Sequence, residues 1–202
     1  MINFGKIKKT FHMQNVLDID NFSIEENKIH VVTGSNGSGK STLAKVLAGI
    51  IPDDDGNIKK VYKTDGSEYS VGYLTQKPYV FDLSLEKNIL INGNDKNKCN
   101  KLIDEFGIGY LKGKNARSFS GGEAQKMGLA RFMMDDYDIV IFDESTSAMD
   151  EDSKKNAVRI LNDYAKDKTV IVITHDLTQI KGFANSIIDM RGGKINDRFA
   201  KS

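Results

Sequence analysis

The chain has 202 residues, enough to bury a sizeable core in one domain or in one domain with an inserted subdomain. Its 29 Lys and Arg nearly balance its 28 Asp and Glu, so the net charge of +1 provides no overall basic field for nucleic acid or acidic lipid. A single cysteine, Cys99, excludes an intrachain disulfide and favours a reducing compartment.

The sequence begins without the apolar segment of a secretory signal. Its longest apolar runs, such as IVIF and VIVI, are far shorter than the roughly 20 residues that span a bilayer. We therefore expect a cytosolic chain, which would act at a membrane only through another polypeptide.

In chain order, two short alternating strands are predicted first, at residues 3–7 and 16–19, and Asp65-Gly66 has the chemistry of a hairpin turn. These strands and the turn indicate an antiparallel β layer. Apolar runs rich in β-branched residues follow at residues 29–33, 71–75, 139–142 and 169–174. The last three are nearly continuous, which is typical of strands covered on both faces.

Helical periodicity lies between these strands, at residues 41–50, 102–106, 123–134 and 153–164. Alternation of strands and helices predicts an α/β fold with a mostly parallel core sheet. Residues 77–137 are mostly polar and helical. We expect them to form an inserted helical subdomain, and residues 1–76 and 138–202 to form the core with its β layer, all within a single domain.

A phosphate-binding pattern lies between the strand at residues 29–33 and the helix that follows it. The stretch GSNGSGKST matches G-x-x-x-x-G-K-[ST], a loop whose backbone N–H groups turn toward phosphate oxygens. Lys40 is predicted to reach the β- and γ-phosphates and Ser41 to bind Mg²⁺. The pattern alone leaves GTPases, kinases and many ATPases open. The predicted phosphate-binding residues are Gly34, Ser35, Asn36, Gly37, Ser38, Gly39, Lys40, Ser41 and Thr42.

Polar side chains end three of the predicted core strands. The run DIVIFDE ends in Asp143, a predicted Mg²⁺ ligand, and Glu144, the predicted general base for an attacking water. His175 would contact a γ-phosphate or the water, and Gln76 would contact Mg²⁺ or the water through its amide. Taken alone, each of these residues also fits a structural role.

The order of the motifs resembles the nucleotide-binding domain of the ATP-binding cassette (ABC) family. The phosphate loop, Gln76, SGGE at residues 120–123, DIVIFDE, SAMD at residues 147–150 and His175 occur in the family's order, and the resemblance runs from about Phe4 to Ile195. It implies a P-loop NTPase that uses ATP and Mg²⁺. No GTPase-type Asn-Lys-x-Asp occurs.

The resemblance also implies that the SGGE signature acts in a dimer, because in this family each signature covers the ATP held by the other domain. Gly121 and Gly122 would present free N–H groups to a γ-phosphate, and Ser120 would cap the helix. Glu123 stands where the family often has glutamine. Asp150, in the SAMD loop, would help to hold the two halves in register.

The same resemblance makes Phe11 the candidate for stacking on adenine, although a core phenylalanine fits this position nearly as well. Only 44 positions separate Gln76 from Ser120, which indicates a compact helical subdomain. Transporter members of the family meet their membrane partner at this subdomain, so we expect an unusual docking surface for that partner.

We expect an ATPase subunit that forms a homodimer, or pairs with a second ABC ATPase domain, and drives separate transmembrane permease subunits from the cytoplasmic face of the membrane. Residues 76–91 would transmit the movement, and no nucleic acid is expected. Two alternatives stay open: a non-transport ABC protein, for example in cofactor assembly, and an ABC ATPase of DNA repair or chromosome organisation.

Overall fold

The computed structural model describes residues 1–144, 149–175, 177 and 182–200. The chain divides into two units. The core unit comprises Met1–Tyr73, Tyr137–Asp143 and Asn162–Ser202, and the helical unit comprises Leu74–Asp136 and Glu144–Leu161. Residues 145–148, which include Ser147 and Ala148 of the predicted SAMD loop, lie outside the described residues.

The chain begins with an antiparallel pair of strands, β1 (Ile2–Phe11) and β2 (Gln14–Ile24). His12 and Met13 join them with positive φ angles of 46° and 63°, the left-handed geometry that suits a two-residue hairpin turn. The predicted antiparallel layer is confirmed, with strands longer than the sequence pattern indicated. The residues that β1 and β2 bury in the core are Ile2, Phe4, Ile7, Leu17, Ile19, Phe22 and Ile24.

The second sheet has six strands in the order β4-β5-β6-β3-β7-β8. Strand β3 pairs in parallel with β6 and β7, β5 pairs in parallel with β6, and β7 and β8 form an antiparallel edge. The mostly parallel sheet confirms the predicted fold class. The strands are β3 (Ile29–Gly34), β4 (Val71–Leu74), β5 (Ile139–Asp143), β6 (Thr169–Ile173), β7 (Ser186–Arg191) and β8 (Lys194–Ala200).

Helix α1 (Lys40–Leu47) belongs to the core unit and buries Leu43, Ala44, Val46 and Leu47 in the same apolar cluster as β1 and β2. The register of the parallel strands aligns Asp143, at the end of β5, with Ile173 of β6, and Ile173 with Val32 of β3. The ends of these strands therefore lie at one edge of the sheet, close to the start of α1.

The helical unit contains α2 (Leu85–Ile89), α3 (Lys96–Glu105) and α4 (Gly121–Phe132), and α5 (Glu151–Tyr164) begins in it. Side chains cap α2, α3 and α4: Ser84, Asp95 and Ser120 each accept a hydrogen bond from a backbone N–H in the first turn. Within the described ranges, no helix has the length and apolar character needed to cross a membrane.

Candidate active site

The phosphate-binding stretch forms a tight loop between β3 and α1, and its glycines are required by the backbone. Gly34 has φ +144°, and a Cβ there would lie 2.2 Å from the carbonyl oxygen of Met190. Gly39 has φ +98°, and its Cβ would lie 2.8 Å from the carbonyl oxygen of Val16. Any other residue at these two positions would combine a strained φ with a backbone clash. The loop is therefore shaped by β2 and β7 as well as by its own sequence.

The loop places a buried positive charge beside the start of a helix. Lys40 is 7% exposed, and its Nζ donates to the carbonyl oxygens of Gly34 and Ser35, both at 2.9 Å. The first helical hydrogen bond runs from Leu43 N–H to the Gly39 oxygen, so the N–H groups of Lys40, Ser41 and Thr42 have no partner within the helix. These N–H groups, the helix dipole and the ammonium together favour an anion.

The Ser38 hydroxyl is a second sign of a ligand at this loop. Its Oγ is buried and has no hydrogen-bond partner in the part of the chain that the structure describes. Buried hydroxyls are normally satisfied, and a phosphate oxygen would satisfy this one. The loop residues therefore fit the triphosphate of ATP. Ser35, Asn36 and Gly37 form the exposed rim of the loop.

Oxygen atoms suited to Mg²⁺ meet beside the loop. The Ser41 hydroxyl donates to Asp143 Oδ1 at 3.3 Å, and the Tyr73 hydroxyl donates to Asp143 Oδ2 at 2.8 Å. Asp143 is 6% exposed. Mg²⁺ usually binds through one or two protein oxygens together with substrate phosphates, so this small donor set fits the ion. Burial, and then the hydrogen bond to Asp143, raise the pKa of the Tyr73 phenol, which stays a donor at neutral pH.

Glu144 and Gln76 are brought together in the helical unit. Gln76 Nε2 donates to Glu144 Oε2 at 3.0 Å, although 68 positions separate the two residues. The backbone oxygen of Gln76 in turn accepts from Gln125 Nε2 at 3.1 Å, and Gln125 is 4% exposed. Glu144 has a positive φ of 47°, an uncommon conformation for a residue with a side chain. The pair provides an oriented carboxylate, the group expected of a general base.

The SGGE stretch starts α4 with a complete capping box. Ser120 Oγ accepts from the Glu123 N–H at 3.3 Å, and Glu123 Oε2 accepts from the Ser120 N–H at 2.7 Å. The Tyr110 hydroxyl donates to the other oxygen of Glu123 at 2.8 Å. The hydrogen bonds from Ser120, backbone first, and then that from Tyr110 lower the pKa of the Glu123 carboxyl. Both Glu123 oxygens thus contact the chain's own residues, whereas Gly121 and Gly122 occupy the first two helical positions.

The remaining predicted residues lie as follows. Phe11 ends β1 and is 43% exposed, so it is not a core residue, and Lys9 Nζ lies 5.3 Å from the centre of its ring. His175 is exposed just beyond β6. Asp150 accepts from the Ser153 hydroxyl at 2.6 Å and from its N–H at 2.9 Å, and these bonds lower the pKa of Asp150 to about 2. Asp150 therefore caps the start of α5.

Sequence reasoning missed Tyr73 and Gln125. Tyr73 lies on β4, whose residues alternate between half-buried and buried, and three positions before Gln76. Gln125 follows the signature and is a buried polar residue in α4. A polar residue on a strand that leads into a predicted site was the available signal for Tyr73. Nothing in the pattern of α4 indicated that Gln125 contacts Gln76.

The fold and the phosphate loop define a P-loop nucleoside triphosphatase. Residues 17–147 match the family model described as ABC transporter. The chain therefore belongs to the ABC transporter family, and it is an ATP-binding and ATP-hydrolysing subunit of that family.

Two relatives and one solved structure illustrate the match. The chain is 28% identical to the tungstate uptake system ATP-binding protein TupC of Peptoclostridium acidaminophilum, over 97% of each chain. It is 33% identical to a putative ABC transporter ATP-binding protein of Clostridium tetani, over 86% of this chain and 43% of that protein. Among solved structures, the dimeric bacterial ABC transporter cassette MJ0796 superimposes with a TM-score of 0.86 at 20% identity, covering 99% of this chain and 98% of that one.

Proposed function

We propose that the chain binds Mg-ATP through the phosphate loop, Ser41 and Asp143, and that Glu144 activates the water for hydrolysis. The observation that carries the proposal is the phosphate loop's buried Lys40 ammonium together with its buried Ser38 hydroxyl, which has no hydrogen-bond partner among the described residues. Lys40 contacts neutral carbonyl oxygens, and a buried charge is more stable when it is paired with an opposite one. A triphosphate supplies that charge.

The protein's own groups have distinct tasks in the reaction. The Lys40 ammonium and the N–H groups at the start of α1 would hold the β- and γ-phosphate oxygens. Glu144 would accept a proton from the attacking water, with its carboxylate oriented by the Gln76 amide at 3.0 Å. Mg²⁺, when bound by Ser41 and Asp143, would neutralise charge on the phosphates. His175 would contact the γ-phosphate or the water.

The active form in this proposal is a dimer, either of two copies or with a second ABC ATPase domain. The capping box satisfies Ser120 and Glu123 within the chain, whereas the N–H groups of Gly121 and Gly122 precede the first hydrogen bond of α4. These two N–H groups would contact the γ-phosphate of ATP on the partner, with Asp150 at the same interface. The dimeric form of the MJ0796 cassette supports a dimer. Phe11, which is exposed, would stack on adenine.

We further propose that dimer closure drives separate permease subunits at the cytoplasmic face of a membrane. Residues 77–137 would act as the inserted subdomain that carries the signature, and residues 76–91 would transmit the movement. The name of the TupC relative, an ATP-binding protein of an uptake system, supports a transport role.

The test is to purify the native complex in mild detergent and identify the proteins that accompany the chain by mass spectrometry, with and without a non-hydrolysable ATP analogue. Polytopic membrane proteins recovered in stoichiometric amount are the expected result. A membrane-free complex, or ATP turnover that DNA stimulates, would overturn the transport role and leave the ATPase assignment standing.

A further inference from the structure

Tyr73 is a residue at this site that no motif explains. It lies on β4 in the core unit, and its hydroxyl donates to Asp143 Oδ2 at 2.8 Å. Ser41, in the same unit, donates to the other oxygen of that carboxylate at 3.3 Å. Each oxygen of Asp143 therefore contacts a different hydroxyl, one from β4 and one from α1.

The two contacts differ in strength. A distance of 2.8 Å is typical of a good O–H···O bond, whereas 3.3 Å lies beyond the usual range, so the Tyr73 contact is the firmer one. Asp143 is 6% exposed, and water competes little for its oxygens. The terminal torsion of an aspartate is broad, so its rotation must be fixed by contacts. Tyr73 provides the stronger of these two contacts.

We infer that Tyr73 is a positioning residue for the Mg²⁺ site: it fixes Asp143 Oδ2 and so presents Oδ1 to the ion beside Ser41. This inference rests on the proposed function, which assigns Ser41 and Asp143 to Mg²⁺. Asp143 Oδ1, which accepts only the long hydrogen bond from Ser41, keeps lone pairs available for the ion. Residues that hydrogen-bond a metal ligand typically change metal affinity by about 10- to 100-fold.

The test compares Tyr73→Phe, which removes one hydroxyl and keeps the ring, with Tyr62→Phe, which removes an exposed hydroxyl elsewhere in the core unit. Thermal unfolding is followed while Mg²⁺ is titrated at a fixed, saturating concentration of a non-hydrolysable ATP analogue. Each variant is compared with its own metal-free midpoint, so a general loss of stability cancels. We expect Tyr73→Phe to need about tenfold more Mg²⁺ for half-maximal stabilisation, and Tyr62→Phe to match the wild type.

Two further measurements separate positioning from simple structural damage. Affinity for the ATP analogue in EDTA should stay at the wild-type value in Tyr73→Phe, and ATPase activity should recover at high Mg²⁺. A wild-type Mg²⁺ midpoint in Tyr73→Phe would overturn the inference, as would an equal loss of affinity with and without Mg²⁺.

The Asp143→Asn variant distinguishes failure of the inference about Tyr73 from failure of the proposed function. Loss of the Mg²⁺ response in Asp143→Asn, together with a wild-type response in Tyr73→Phe, would refute the role of Tyr73 alone. A wild-type Mg²⁺ response in Asp143→Asn would refute the metal assignment itself and, with it, the role of Tyr73.

Discussion

At the scale of single residues, substitution of Glu144 tests the proposed hydrolysis mechanism most directly. Glu144→Gln replaces a carboxylate with an amide of similar size that cannot accept a proton. We expect hydrolysis to fall by about 10²- to 10⁴-fold, the usual contribution of a general base, with ATP binding retained. Phosphate release measures the rate, and light scattering of the ATP-bound variant should show dimers that accumulate because hydrolysis no longer separates them.

Glu68→Gln is the matched control for this prediction, because Glu68 is a half-exposed carboxylate paired with Lys60 in the core unit. It should hydrolyse ATP at the wild-type rate. Normal turnover by Glu144→Gln would show that another group takes the proton.

Substitution of Lys40 tests ATP binding rather than the hydrolysis step. Lys40→Ala removes a buried ammonium, and hydrogen bonds to charged groups contribute about 1.5 to 3 kcal/mol each, so we expect ATP affinity to fall at least about tenfold. Calorimetric titration measures the dissociation constant. Lys45→Ala, on the exposed face of the same helix, should bind as the wild type does. Equal affinities for the two variants would remove Lys40 from the phosphate site.

At the scale of elements, α4 combines a structural cap with a proposed ligand contact, and the two can be separated. Ser120→Ala removes the N-cap hydroxyl and should lower the free energy of unfolding by about 0.5 to 2 kcal/mol. Asp95→Ala removes the N-cap of α3, which also accepts a hydrogen bond from the first turn, and should cost a similar amount.

Only Ser120→Ala should also lower ATPase activity, because α4 begins at the proposed γ-phosphate contact and α3 does not. Chemical denaturation and phosphate release, measured on both variants, provide the comparison. If both variants lost stability equally and kept full activity, Ser120 would serve the helix alone.

The elements also show which parts of the fold could be predicted. The buried runs of β5 and β6 were placed to within about one residue, because strands covered on both faces are continuously apolar. Strands β7 and β8 were missed, since they form an antiparallel edge whose residues are partly exposed. Helix α4 starts at Gly121, two residues before the predicted start, because its capping box accommodates two glycines that have poor helix propensity.

The candidate site also has features that the sequence could predict and features that it could not. The phosphate loop was predictable, because phosphate binding fixes the residue types and spacing of the motif. The close approach of β2 and β7 to Gly39 and Gly34 was not, since Val16 and Met190 are distant in sequence. The contact of Tyr73 with Asp143 was not, because it joins residues 70 positions apart and depends on how β4 and β5 lie in the sheet. The capping role of Asp150 follows from its local sequence, whereas its proposed place at a dimer interface stays a prediction.

At the scale of the whole molecule, the proposal requires each ATP to be held by the phosphate loop of one chain and the signature of the other. Two inactive variants should then rescue each other. Lys40→Ala removes the ammonium group of the phosphate loop. Gly122→Asp places a negative charge where the γ-phosphate of the partner's ATP would approach. Aspartate is well tolerated in the first turn of a helix, so Gly122→Asp should fold.

In a mixture of these two variants, half of the dimers contain one chain of each kind, and each mixed dimer has one intact site. We therefore expect about a quarter of the wild-type ATPase activity from equal amounts of the two chains, because random pairing within a symmetric dimer sets that fraction. Mixing Lys40→Ala with Glu144→Gln is the control: both residues serve the ATP held by their own chain, so no mixed dimer gains an intact site. No rescue in the first mixture, with mixed dimers present, would mean that the signature acts on its own chain's nucleotide. Rescue in the control would mean that Glu144 acts on the ATP held by the partner.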